Sequence, residues 1–416
     1  MAWRLTVRVL VIVSVGGLLA SCGILAEPRV TLLTDRPEIA SYVERYNAFQ
    51  DTYKVEVEYR ESPAQAVQDG EAGDIAIGEW LSTPQLLARF DSTSDIVKPG
   101  KVDPSSFYPG LLSMGSNDNR PTLIPLSFDL PAIVFYKPSV SQEELPAMFM
   151  PVEILKSLSH PFNATSKDGF PSAMGFSPRW NPEFLTQMGL VLGARIRAGR
   201  AGLPTWDSDG LQRTVDLVKS WMSDVNGGAE PDRAFADRYL VQPYFKLLAS
   251  QRIRFALTSF SDFMQLPEER RKDLDFRWLS SGGTIPVRDN VLFAGILRGA
   301  HNKRGAKAFL EWFCALRNQS ALLDSAQSLR LGVFGITNGF SAYTSVNEKE
   351  FSTRYPILLG HVPVPSTLRV PETLPDDWQK VRQEVIDPWL LQTAAGQEDQ
   401  DLTTRVDEWK AAATRK

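Results

Sequence analysis

Three of the chain's ten tryptophans stand beside a hydrogen-bonding side chain at the end of an expected element: Glu79-Trp80, Trp180-Asn181 and Trp206-Asp207. A flat indole can cover an apolar ligand face. A carboxylate accepts charge-assisted hydrogen bonds, and an amide both donates and accepts. Such residues suit a small molecule with an apolar face and a rim of hydroxyls, such as a pyranose. Asp35, Phe128 and Asp129 join the candidates, because each falls in a turn next to an expected strand. A buried polar group left unpaired costs about 1–3 kcal/mol, which is how such a site rejects ill-fitting molecules. Plainer uses compete: Asp35, Asn181 and Asp207 can cap helices, and most tryptophans pack in cores. Trp221 and Trp312 fall in amphipathic helices and read as core.

Catalytic and metal chemistry finds little support. There are three histidines, His160, His301 and His361, with no His-Glu-x-x-His or other metal spacing. No Gly-x-Ser-x-Gly elbow and no Walker loop occur. Cys314 lies in an apolar helical stretch and reads as a small core residue. No cofactor, metal or catalytic residue is expected. A secreted glycoside hydrolase is the enzyme alternative, needing two carboxyls about 5–10 Å apart across a cleft.

The N-terminus reads as an export signal. Arg4 and Arg8 precede an apolar stretch over residues 9–20, shorter than the roughly 20 residues a membrane span requires. Leu19-Ala20-Ser21-Cys22 then closes it as a bacterial lipobox. Residues 1–21 are thus expected to be removed, Cys22 to be acylated, and residues 22–28 to form a tether. The remaining 395 residues suffice for two or three domains. The net charge of −4 disfavours a nucleic-acid partner. With Cys22 acylated, Cys314 has no cysteine to pair with.

Behind the candidates lies a strand–helix alternation. Val30, Leu32 and Leu33 mark a strand. Asp35, Pro37 and Glu38 predict a capped helix start, and Ile39, Tyr42, Val43, Tyr46 and Phe49 recur at helical spacing. Val55, Val57 and Tyr59 alternate as a strand does. A short helix over 63–70 and a buried strand over 74–78 follow. This order predicts an α/β fold with parallel sheets covered by helices on both faces. Ligands of such sheets sit outside the carboxyl ends of the strands, where Asp35, Glu79 and Trp80 fall.

The segment Ile124-Pro125-Leu126-Ser127-Phe128-Asp129, followed by Ala132-Ile133-Val134-Phe135-Tyr136-Lys137, resembles the interlobe crossing of family 1 extracellular solute-binding proteins, the sugar-binding type. Phe176-Ser177-Pro178-Arg179-Trp180-Asn181-Pro182 resembles that family's second-lobe turn. Pro204-Thr205-Trp206-Asp207 resembles its next unit, and Ile285-Pro286-Val287-Arg288-Asp289-Asn290 its second crossing, which implies Asn290 as a further ligand-binding candidate. Two departures stand out: the chain has Thr34-Asp35 where the family often has an aromatic, and Phe135-Tyr136-Lys137 where it usually has Tyr-Asn-Lys.

The resemblance implies a two-lobed periplasmic-binding-protein fold of type II with hinged lobes. One lobe would comprise 29–131 plus 287–335, the other 132–286 plus 336–416. It further implies a monomer that captures a solute, a sugar ahead of a polyamine or peptide, by closing on it. The loaded form would dock on the permease subunits of an ABC importer, with the protein held at the cell envelope by lipidated Cys22. A degenerate relative could serve as a sensor or adhesin.

Overall fold

The computed structural model describes residues 28–413, apart from 142, 144, 329–331 and 399. The expected signal, the Cys22 lipidation site and all of the tether but Pro28 lie outside the described residues. Among the described residues no helix is long and apolar enough to cross a membrane.

The first three strands, Arg29–Thr34, Lys54–Tyr59 and Ile75–Gly78, are parallel, with Leu32 opposite both Val57 and Ile75. Helices Ile39–Phe49 and Pro63–Asp69 connect them. The second helix is delimited as its sequence dictates. Ser62 accepts from the Gln65 amide, Pro63 opens the first turn, and Gly70 closes the helix at φ 76°. The first helix departs from expectation. Its cap position is Glu38, which makes no side-chain capping bond, and the entering turn is closed by Ile39 N–H donating to the Arg36 carbonyl. Asp35 does not cap it.

The sheet continues through three further strands, and these turn it from parallel to mixed. Leu292–Ile296 runs antiparallel to Ile75–Gly78, Ile124–Phe128 antiparallel to Leu292–Ile296, and Phe340–Ser341 antiparallel to Ile124–Phe128. A second sheet orders Phe255–Ser259, Pro131–Tyr136, Leu274–Ser280 and Phe149–Pro151, and of its pairings only the last is parallel. The expectation of parallel sheets is corrected accordingly. Strands that return from the other half enter each sheet against the direction of its own βαβ units.

The chain passes between the sheets at residues 129–130, where Ile124–Phe128 belongs to the first sheet and Pro131–Tyr136 to the second. It returns over 281–291, between Leu274–Ser280 and Leu292–Ile296. It leaves again after Ser341: by His361 its carbonyl accepts from Trp278 Nε1, and Leu368 pairs with Ile285. Phe340–Ser341 therefore pairs in the first sheet, although residues 336–416 were expected with the second lobe. Helices Pro182–Leu192, Ser208–Asp224 and Asp387–Ala394 pack together, the first of them also against Ile285–Pro286. Cys314 is buried in the core, its thiol pushed up to about 12 by burial.

Candidate functional site

The crossing segments and the carboxyl ends of the first sheet's parallel strands enclose a polar cavity of about 270 Å³. Arg36 and Glu79 stand on one wall, Asp129 and Arg288 come from the two crossings, and Ser261 and Asp262 come from the helix Phe260–Gln265 that follows the second sheet's edge strand. Both sheets thus contribute to one crevice. Glu79 also lines an adjoining groove of about 500 Å³, with Asp35, Trp80, Arg60 and, from the C-terminal segment, Gln379.

Two ion-pair systems organise the inner cavity. Arg36 is paired with Glu79, and its Nε lies 3.4 Å from Asp35 Oδ1. Asn290 Nδ2 donates to the same Glu79 oxygen at 3.0 Å. Burial raises the Glu79 carboxyl above the usual range against the pull of Arg36, and burial likewise raises Asp35. In the second system Arg288 binds Glu183 through two nitrogens, at 2.7 and 3.1 Å, and reaches Asp129 at 3.4 Å. Asp129 also accepts from Ser261 Oγ at 2.5 Å and from the Leu130 amide at 2.8 Å. Burial pushes Asp129 up; Arg288 and Ser261 oppose that.

A third cluster lies just behind the second crossing. Asp289 accepts from Trp378 Nε1 at 2.6 Å and is paired with Arg382. Arg382 in turn lies 3.8 Å from the buried Asp387.

Two buried polar atoms at the adjoining cavities have no hydrogen-bond partner among the described residues, Trp80 Nε1 and Asn290 Oδ1, while Asp35 Oδ1 and Arg36 Nε face each other only as an ion pair. Such atoms are rare in folded proteins and ask for an explanation. The Trp80 backbone adds to the signal. Its φ is 56°, a left-handed conformation that a bulky residue adopts only when its surroundings enforce it. Across the inner cavity, Thr337 and Asn338 at φ 47° and 60° form a tight turn closed between Ile336 and Gly339, which brings backbone against Ser127.

No family model matches the sequence, and no curated protein matches it. Solved structures do match in shape. The sugar-binding protein MalE from the phytopathogen Xanthomonas citri superposes with a TM-score of 0.69 at 12% identity, over 91% of this chain and 95% of its own. The cyclic alpha-maltosyl-1,6-maltose binding protein from Arthrobacter globiformis gives 0.63 at 13%, over 91% and 96%. The ABC substrate-binding protein Lmo0181 from Listeria monocytogenes, in complex with cycloalternan, gives 0.62 at 12%, over 93% and 99%. The fold is the two-lobed binding-protein fold.

Within that fold the sequence candidates divide. Glu79, Phe128, Asp129 and Asn290 line the inner cavity, and Asp35, Glu79 and Trp80 the outer groove. Trp180, Asn181 and Trp206 are not brought there. Trp180 stacks on Phe235 at 5.4 Å, and its Nε1 donates to Asp232 at 3.1 Å inside the second lobe. Asn181 caps the helix Pro182–Leu192 by accepting from the Glu183 amide. Trp206 is half-buried against the core, directly before the capping Asp207. Sequence reasoning missed Arg36, Arg288, Ser261 and the 337–339 turn. Arg36 was findable, since it adjoins Asp35, and Arg288 stands two residues before Asn290. An Asn-Gly pair also marks the turn.

Proposed function

We propose that this chain is an extracytoplasmic solute-binding lipoprotein that captures a carbohydrate between its two lobes and delivers it to an ABC importer. One observation carries the reading. The indole of Trp80 and two unpartnered polar atoms, Trp80 Nε1 and Asn290 Oδ1, fall at two adjoining cavities that share Glu79, at the carboxyl ends of the strands. A polyhydroxylated ring supplies donors and acceptors to such atoms and an apolar face to the indole. The shape shared with structures described as binding sugar, a cyclic maltosyl-maltose and cycloalternan supports the same class. Glu79, at the junction of the two cavities, would contact the ligand from both.

A polyamine reading is weaker, because Glu79 and Asp129 are already neutralised by Arg36 and Arg288. Membrane tethering through acylated Cys22 rests on the sequence Leu19-Ala20-Ser21-Cys22. Several acyl chains on one residue would hold the protein at a bilayer, each buried methylene contributing about 0.8 kcal/mol.

Thermal shift of the mature chain against sugars, polyols, amino acids and polyamines tests the reading. A ligand at 100 times its Kd stabilises by about 2.7 kcal/mol. A shift confined to saccharides, without turnover, is expected. Shifts with polyamines alone, or release of reducing sugar, would overturn it.

A further inference from the structure

We propose that the base of the first lobe is a headgroup-contacting surface that lies against anionic phospholipid of the bilayer holding the chain. This rests on the reading of Cys22 as a lipid anchor.

The placement follows from one strand. Arg29–Thr34 begins where the described chain enters and ends beside Asp35 at the groove, so entry and groove lie at opposite ends of the first lobe. At the entry end, Asp74 ties the loops together: it accepts from the Thr31 and Asn302 amides, each at 2.8 Å. Asn302 Nδ2 donates to the Arg29 carbonyl, and the Lys54 amide to that of Pro28. Cys22 is six residues before Pro28, a reach of about 20 Å at full extension. The base therefore cannot leave the vicinity of an acylated Cys22.

Charge at this base runs against that of the chain as a whole, which is −4. Arg89, Arg298 and His301 line a cavity of about 440 Å³ together with Glu71, and Arg304 stands in the first turn of the neighbouring helix Lys303–Cys314. Among the described residues Lys54, Arg89, Arg298 and Arg304 have no carboxylate partner. The nearby acids are mostly engaged: Glu56 by Arg29, Glu71 by Arg60, Asp91 by Lys303. Asp51, Asp69 and Asp74 are left without a cation, against the four unpaired basic residues, so the base carries a small positive excess. Each basic residue held near an anionic leaflet favours the base-down orientation by about fivefold. Screening confines the effect to about 8 Å at physiological salt, a distance the short tether allows.

The test uses the full acylated chain in vesicles, with a fluorophore on Gly299→Cys at the base or on Glu61→Cys at the groove end, and an acceptor on lipid headgroups. Both sites are exposed, and Cys314 is too buried to compete for label. With phosphatidylglycerol mixed into phosphatidylcholine, energy transfer from residue 299 should exceed that from residue 61 by about twofold or more. The contrast should shrink in pure phosphatidylcholine, at raised salt, and in the variant Arg89→Glu/Arg298→Glu/Arg304→Glu. The salt arm needs no substitution, so a misfolded variant does not remove the test. A chain that stays on the vesicles but gives equal transfer from both labels overturns the headgroup surface alone. A chain that washes off every vesicle overturns the anchor and this surface with it.

Discussion

Asp387 offers the sharpest quantitative test of the electrostatics behind the second crossing. Its carboxyl is buried, Oδ1 has no hydrogen-bond partner, and Arg382 lies 3.8 Å away with its charge already engaged by Asp289. Burial therefore dominates, Asp289 and Glu183 add to it, and the group is pushed up from 3.8 to about 7 despite Arg382. Between those values the folded protein holds a proton that the unfolded chain has released. Stability contributed by this group must fall as pH rises through that window, and its penalty is complete above about pH 7. Roughly three units at 1.36 kcal/mol each set a ceiling of about 4 kcal/mol. Asp387→Asn removes the penalty and also weakens the contact with Arg382, so a net gain of about 1–3 kcal/mol is expected at pH 8. Near pH 4 the two proteins should be nearly equal. Urea unfolding followed by tryptophan fluorescence at both pH values gives the difference from midpoint and slope. A variant less stable than the parent at pH 8 would refute the reasoning, since it would mean that the ion pair with Arg382 outweighs burial.

Arg36→Ala leaves Glu79 buried without its cation and should lower stability by about 2–4 kcal/mol at pH 7. Adding Glu79→Gln should restore part of that in urea unfolding, and strict additivity of the two changes would contradict the pairing. Trp80→Gly relieves the φ 56° strain but removes an indole packed against the core, so stability should fall by about 1–2 kcal/mol, while saccharide binding weakens tenfold or more on calorimetric titration. Unchanged affinity would remove Trp80 from the site. Trp180→Phe should lower stability by about 1 kcal/mol through loss of its bond to Asp232, with affinity intact. A tenfold loss of affinity would instead place it at the ligand.

The βαβ opening of the first lobe was legible because its signals are local. Ser62, Pro63 and Gly70 bound one helix, and alternation or full apolarity marks the strands. The crossing at Asp129 was legible through resemblance. Strand direction was not, because nothing within Leu292–Ile296 or Phe340–Ser341 records which way the neighbouring strand runs. The same limit explains the site. Asp35, Glu79 and Trp80 follow directly from the strands that carry them, but Ser261 and the 337–339 turn reach the cavity only through tertiary packing. Trp180 and Asn181 looked like ligand residues because a Trp-Asn pair before a proline also describes a buried indole followed by a helix cap, and that was the arrangement found. Asp35 went the other way: a helix start was available to it, yet the turn closed by the Arg36 carbonyl left its carboxylate at the groove.

The polypeptide passes between the two sheets three times, at 129–130, over 281–291 and after Ser341. A single thread between two bodies permits them to spin as well as to bend. Three threads act like the knuckles of a door hinge, leaving a swing about one axis and resisting rotation about the others. Under the proposed closure the halves would meet in the same alignment each time, with Ser261 and Asp262 opposite Arg36 and Glu79. The alignment of the cavity's two walls is thus set by the route of the backbone.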